Sequence, residues 1–322
     1  MTFSRRAFLE STAVGILSSA LLPEHRFARA EDKSGGKPAI IDCHTHFYDP
    51  TRPEGIPWPG KDDDVLYRPV LPKHFLKVAE PVGVTKTIVI EASPRVEDNA
   101  WLLELAQANP SVIGVVGNLA PGEPEFANHL RRFAANQLFR GIRVGQESVR
   151  LSLEKPEFLA DIRQLAERDL ELDVIGPPGT AADVARLAGK LPELRIVINH
   201  LCGVSIDGKA PPAEWLAGMR AAAGRMNVFC KVSAMVSLAT FPTGAKRAPL
   251  DVDLYKPILD ATWEAFGDDR LIYGSDWPVI DRRATYAEAF TLIQQYVSGR
   301  GRAAAEKYFS TNAAKAYRWK ED

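Results

Sequence analysis

Cysteine is scarce in this chain: Cys43, Cys202 and Cys230 are the only three in 322 residues. An odd count, each thiol in or just after an apolar run, argues against a disulfide framework and reads as buried thiols. Net charge is equally sparse. The formal charge is −1, and removing residues 1–30, with four basic and two acidic residues, leaves −3. That small acidic surplus excludes the basic face that nucleic acid or an anionic membrane rewards. Beyond residue 30 no stretch is apolar enough to cross a bilayer, and no low-complexity run or Gly/Ser-rich linker divides the chain. With 46% hydrophobic residues, the remainder can bury one large core. It therefore reads as a single domain over 31–322 that acts on a small molecule.

Residues 1–30 read as an address rather than as fold. Ser4-Arg5-Arg6-Ala7-Phe8-Leu9 is a twin-arginine pattern, and Ala28-Arg29-Ala30 is an A-x-A cleavage site. The weakly apolar stretch between them, 11–22, is too short to span a membrane permanently. The expectation is a precursor handed to the twin-arginine export machinery, cut after Ala30 and released as a periplasmic or other extracytoplasmic protein.

Apolar runs alternate with helical spacing through the rest of the chain. The runs are 39–43, 87–90, 112–116, 141–144, 172–175, 196–198, 228–232 and 271–273, eight in all. Between them 72–82, 99–108, 124–136, 156–168, 181–187, 213–222, 255–266 and 284–297 carry helical patterns. Near-continuous apolar strands, each followed by a helix, predict a parallel sheet covered by helices, and eight such units predict an α/β fold of the (β/α)8 TIM-barrel kind. No G-x-G-x-x-G follows the first run, which disfavours a doubly wound open sheet. The last helical pattern, 302–317, is expected to pack on the outside.

The first run ends Ile40-Ile41-Asp42-Cys43-His44-Thr45-His46. Alternation along a strand places His44 and His46 on one face, and paired imidazoles are good ligands for a divalent ion. Polar residues close most of the other runs: Glu91, Arg143, His200, Lys231 with Ser233, and Asp276. Charges are costly to bury unpaired, so their recurrence at C-terminal strand ends predicts one convergent site at the barrel mouth. Trp58, between Pro57 and Pro59 in the loop after the first strand, is a candidate wall of that site. His74 and His129 fall within helical segments and read as surface or packing histidines.

His44-Thr45-His46, Val197-Ile198-Asn199-His200-Leu201-Cys202-Gly203 and Tyr273-Gly274-Ser275-Asp276-Trp277-Pro278-Val279 together resemble the amidohydrolase superfamily, in its amidohydrolase-2 branch. Within it the likeness is to sugar-lactone (fuconolactonase-like) and 2-pyrone-4,6-dicarboxylate lactonases, and it runs from about residue 39 to 317. The resemblance implies a hydrolase in which His44, His46, His200 and Asp276 form the site, with Asp276 accepting the proton of the attacking water. It further implies either one divalent metal on those four residues, Zn²⁺ being the natural choice, or catalysis without metal. Arg143 stands where a carbamylated lysine would be needed for two metals, and the fifth run ends Val174-Ile175-Gly176 without a histidine, so a binuclear centre is disfavoured.

The expected reaction is hydrolysis of a lactone of a sugar acid or dicarboxylate. Arg143 and Lys231 are expected to hold substrate carboxylate or hydroxyls, Arg143 by a bidentate grip, with Glu91 as a further oxygen ligand or an ion-pair partner. Two alternatives stand beside it: a metal-dependent decarboxylase or hydratase of aromatic acids, and a non-enzymatic extracytoplasmic binding protein.

Overall fold

In the computed structural model, residues 40–319 are described, except 242 and 243; the expected export signal lies outside them. Eight strands run in sequence order in one parallel sheet: β1 (Ile40–Thr45), β2 (Val84–Ile90), β3 (Val112–Gly117), β4 (Phe139–Gly145), β5 (Glu171–Ile175), β6 (Arg195–Ile198), β7 (Val228–Val232) and β8 (Leu271–Tyr273). Every pair from β1·β2 to β7·β8 is parallel. The seam between β8 and β1 is closed just past the strand ends, where Asp276 N donates to His44 O at 2.8 Å and His46 N to Trp277 O at 2.9 Å. This is the (β/α)8 barrel that the alternating pattern predicts.

The core divides as the barrel geometry requires. Val84, Val115, Ile142, Leu172, Ile196, Val228 and Leu271 point outward against the helices. Ile41, Cys43, Ile88, Ile90, Val116, Val197, Phe229 and Ile272 fill the interior. Strict alternation would then turn His44 away from the interior that holds Cys43. An irregularity of register between Asp42 and Thr45 reverses the parity and turns the histidine inward.

Two elements depart from expectation. The C-terminal helical segment does not lie on the outer wall. Ala313, Ala316 and Tyr317 join the interior cluster, Arg195 at the start of β6 donates to Ala316 O at 2.7 Å, and Asn312 donates to Leu271 O at 2.9 Å. The segment therefore closes the barrel at the N-terminal ends of its strands, and its wide π turn at Lys307–Thr311 carries Tyr308, whose hydroxyl donates to Val232 O. The helix Gln146–Glu154, directly after β4, was not expected: its polar composition gives little apolar periodicity, and only Val149 and Ser152 are buried.

Candidate active site

The mouth at the C-terminal ends of the strands holds a cavity of about 600 Å³. His46, Glu91, Arg143, His200, Asp276 and Trp58 all line it, with Ser93, Asn118, Ile175 and Ser237 among the other walls. His44 sits just behind, fully enclosed. The structure thus brings seven of the eight expected residues to one place.

Asp276 is the hub. Its Oδ1 lies 3.3 Å from His46 Nε2, 3.7 Å from His44 Nε2 and 3.9 Å from His200 Nε2. The backbone there adopts left-handed conformations that side chains rarely tolerate, with φ of 70° at Asp276 and 50° at His200. Such conformations persist only where the surroundings hold them, which here is a set of polar clamps. Asp42 Oδ1 accepts from the backbone N–H of both His44 (3.1 Å) and Ser275 (2.8 Å), and Asp42 Oδ2 accepts from the Tyr286 hydroxyl at 2.9 Å. One buried carboxylate therefore ties β1 to the turn that carries Asp276.

The imidazoles are held by their far nitrogens. Nδ1 of His46 faces Ile90 O at 3.0 Å and donates there, while its Nε2 lies 3.3 Å from Asp276 Oδ1. Nδ1 of His200 shares a hydrogen bond with Ser233 Oγ at 2.8 Å. Burial holds His44 well below the ordinary histidine range, aided by His200 and Lys231 nearby, and burial lowers His200 to about 4. Both rings are neutral at pH 7, the form that binds a metal.

Ligand atoms of His44, His200 and Asp276 lie within 4.8 Å of one another. His44 Nε2 is buried without any hydrogen-bond partner, so it is an orphaned donor or acceptor that a metal ion would satisfy. Two imidazoles and a carboxylate with an open cavity in front suit one divalent ion. His46 falls outside this group of three: its ring lies edge-on to His44 with centroids 5.1 Å apart, and its Nε2 faces Asp276 at 3.3 Å.

Lys231 takes a role other than the one expected of it, and Glu91 takes the second of its two expected roles. Lys231 does not reach the cavity. Its ammonium is completely buried, 2.5 Å from Asp173 Oδ2, 3.4 Å from His44 Nδ1 and 5.3 Å from the centre of the Tyr317 ring. The reason is depth. Side chains 229, 231 and 233 of this strand all point inward, and position 231 falls one layer beneath the mouth, where Ser233 stands. Glu91 is the ion-pair partner of Arg143. Its Oε1 accepts from Arg143 Nε at 2.8 Å and lies 2.7 Å from Nη2, while its backbone carbonyl also accepts from Nη2 at 2.9 Å.

Residues that sequence reasoning passed over lie under the site. Asp173 joins Lys231 and accepts from the Tyr317 hydroxyl at 3.0 Å. Glu171, one layer lower, has neither carboxylate oxygen bonded. The available signal was an acid at the start of an apolar strand, Glu171, and another in its middle, Asp173, since a buried carboxylate needs a partner or a proton.

Comparison with known proteins agrees with this construction. The amidohydrolase family model matches residues 41–319. The chain belongs to the amidohydrolase family. An L-fucono-1,5-lactonase from Burkholderia multivorans is 30% identical over 287 residues, covering 86% of this chain and 95% of that relative. An amidohydrolase from Burkholderia multivorans, crystallised with bound zinc, superposes with a TM-score of 0.77 at 27% identity over 88% of this chain and 100% of its own. A probable 2-pyrone-4,6-dicarboxylic acid hydrolase from Acinetobacter baumannii shares the fold at 17% identity, with a TM-score of 0.68 over 87% of this chain and 99% of its own.

Proposed function

We propose that this amidohydrolase opens a lactone ring by attack of water. The observation that carries the reading is the convergence of three imidazoles on Asp276 Oδ1 at the wall of one cavity. The relation to an L-fucono-1,5-lactonase supports lactones as the substrate class. The strand-five end argues against a decarboxylase with a further histidine ligand, since Ile175 and Gly176 form that wall.

In this mechanism water rests against Asp276, whose carboxylate takes a proton as the water oxygen bonds to the ring carbonyl carbon. The bond from that carbon to the ring oxygen then breaks, and Asp276 returns the proton to the departing oxygen, giving a hydroxy acid. His44, His200 and Asp276 are the residues that would hold a divalent ion, Zn²⁺ in this proposal, which when bound supplies polarisation of the carbonyl. Asp42 and Ser233 hold the turn and the ring in place, Trp58 lies 5.9 Å from His46 as one wall, and Arg143 donates to substrate oxygen.

The full chain, supplied with and without Zn²⁺, is tested for proton release on a panel of sugar lactones. Asp276→Asn is expected to reduce kcat by at least about a thousandfold with unchanged thermal unfolding. An active Asp276→Asn enzyme removes the role assigned to this carboxylate, and no turnover of any lactone sinks the reading. We further propose twin-arginine export, on Arg5-Arg6 and Ala28-Arg29-Ala30; changing Arg5 and Arg6 to Lys is expected to hold the precursor in the cytoplasm, and continued export overturns it.

A further inference from the structure

Arg143 is the one cationic side chain, apart from the histidines, among the described residues lining the cavity. An arginine at such a place invites a carboxylate, because the guanidinium edge offers two parallel N–H donors. Here that edge is already spent. Nε donates to Glu91 Oε1 at 2.8 Å and Nη2 donates to Glu91 O at 2.9 Å, with Nη2 also 2.7 Å from Oε1. Glu91 is itself fixed, since Oε2 accepts from the Ser93 backbone N–H at 3.0 Å. Only Nη1 has no acceptor among the described residues. Nη1 remains free to donate to a substrate oxygen, but the Nε–Nη2 edge cannot grip a carboxylate while Glu91 holds it, and the guanidinium charge is countered by the acid beside it.

From this geometry we infer that Glu91 is a specificity-determining residue: by saturating Arg143 it selects uncharged, hydroxyl-bearing lactones and excludes lactones that carry a carboxylate. The inference rests on the lactone reading and adds the charge class of its substrate. The remaining wall agrees. Asn118, Ser93 and Ser237 are neutral polar groups suited to hydroxyls, and Trp58 and Ile175 present apolar surface. A carboxylate entering here would meet a guanidinium already paired with Glu91.

The test compares two substrates that differ by one carboxylate, an uncharged aldonolactone and the matching aldaric monolactone. The wild-type enzyme is expected to favour the uncharged one in kcat/KM by about tenfold or more. Glu91→Gln keeps the shape but leaves Arg143 uncompensated, and Glu91→Ala also frees the fork. Both are expected to shift the ratio about tenfold toward the carboxylated substrate, through its KM. A merely structural role lowers both substrates alike and leaves the ratio where it was, which overturns the proposal, as does a wild-type preference for the carboxylated lactone. Calorimetric titration of both compounds into Asp276→Asn, with and without Glu91→Gln, reads the same preference without turnover. Charge selection in binding with no hydrolysis overturns the lactone reading and leaves this one standing.

Discussion

At the scale of single residues, the barrel interior beneath the site is a place where charge is tightly constrained. Burial, with the Asp173 charge next to it, pushes Glu171 well above the usual carboxylate range. The folded chain therefore keeps a proton that the unfolded chain releases above about pH 4.3. Stability from this group is complete below that pH and is lost as pH rises toward the folded value. Glu171→Gln removes the dependence. In urea unfolding the variant is expected to match wild type near pH 4 and to gain on it steadily toward pH 8; a difference constant across that range refutes the assignment. Lys231 presents the opposite case. It is paired with Asp173 and both are wholly buried, so Lys231→Met leaves a carboxylate without its cation. The expected loss is about 3–5 kcal/mol of unfolding free energy. A near-neutral Lys231→Met that instead raises KM would restore Lys231 to substrate binding. Its strand position was legible in the sequence, but its layer was not, because one pattern of alternation describes both the mouth and the level beneath it.

At the scale of elements, the strands were readable because each centres on an apolar run buried on both faces, and most of the runs are closed by a polar residue. What the runs could not convey is the irregular register in β1. It sets His44 and Cys43 both inward, and at the same point the Ser275 N–H, 233 residues away, is bonded to Asp42. That staple joins the first and last strands of the barrel and places Asp276. Asp42→Ala strips acceptors from two buried N–H groups and the Tyr286 hydroxyl, for an expected cost of about 3 kcal/mol or more. Because the turn bearing Asp276 also loses its tie, kcat should fall well beyond what destabilisation explains when measured on the folded fraction. Full activity in Asp42→Ala would separate the seam from the chemistry. The closing helix was misplaced for a related reason: Ala313, Ala316 and Tyr317 form a short apolar stripe that fits an outer wall or a barrel floor equally well. The partner that decides between them, Asp173, lies 144 residues earlier.

At the scale of the whole molecule, the site is built from both ends of the chain, so whatever binds it should stabilise the entire barrel. His44 comes from β1, His200 follows β6 and Asp276 follows β8. Unfolding separates them and abolishes a three-ligand site, so a bound ion adds stability by mass action, about 2.7 kcal/mol when free metal exceeds Kd a hundredfold. Thiols offer no competing native site, since Cys43, Cys202 and Cys230 are all buried and burial raises each well above the ordinary thiol range. Zn²⁺ added to chelator-treated protein is therefore expected to raise Tm by several degrees, in proportion to the logarithm of its concentration. Chelator should reverse the shift, and His200→Ala should abolish it. A Tm that does not respond to Zn²⁺ in the wild-type protein would overturn the assignment of a metal to His44, His200 and Asp276.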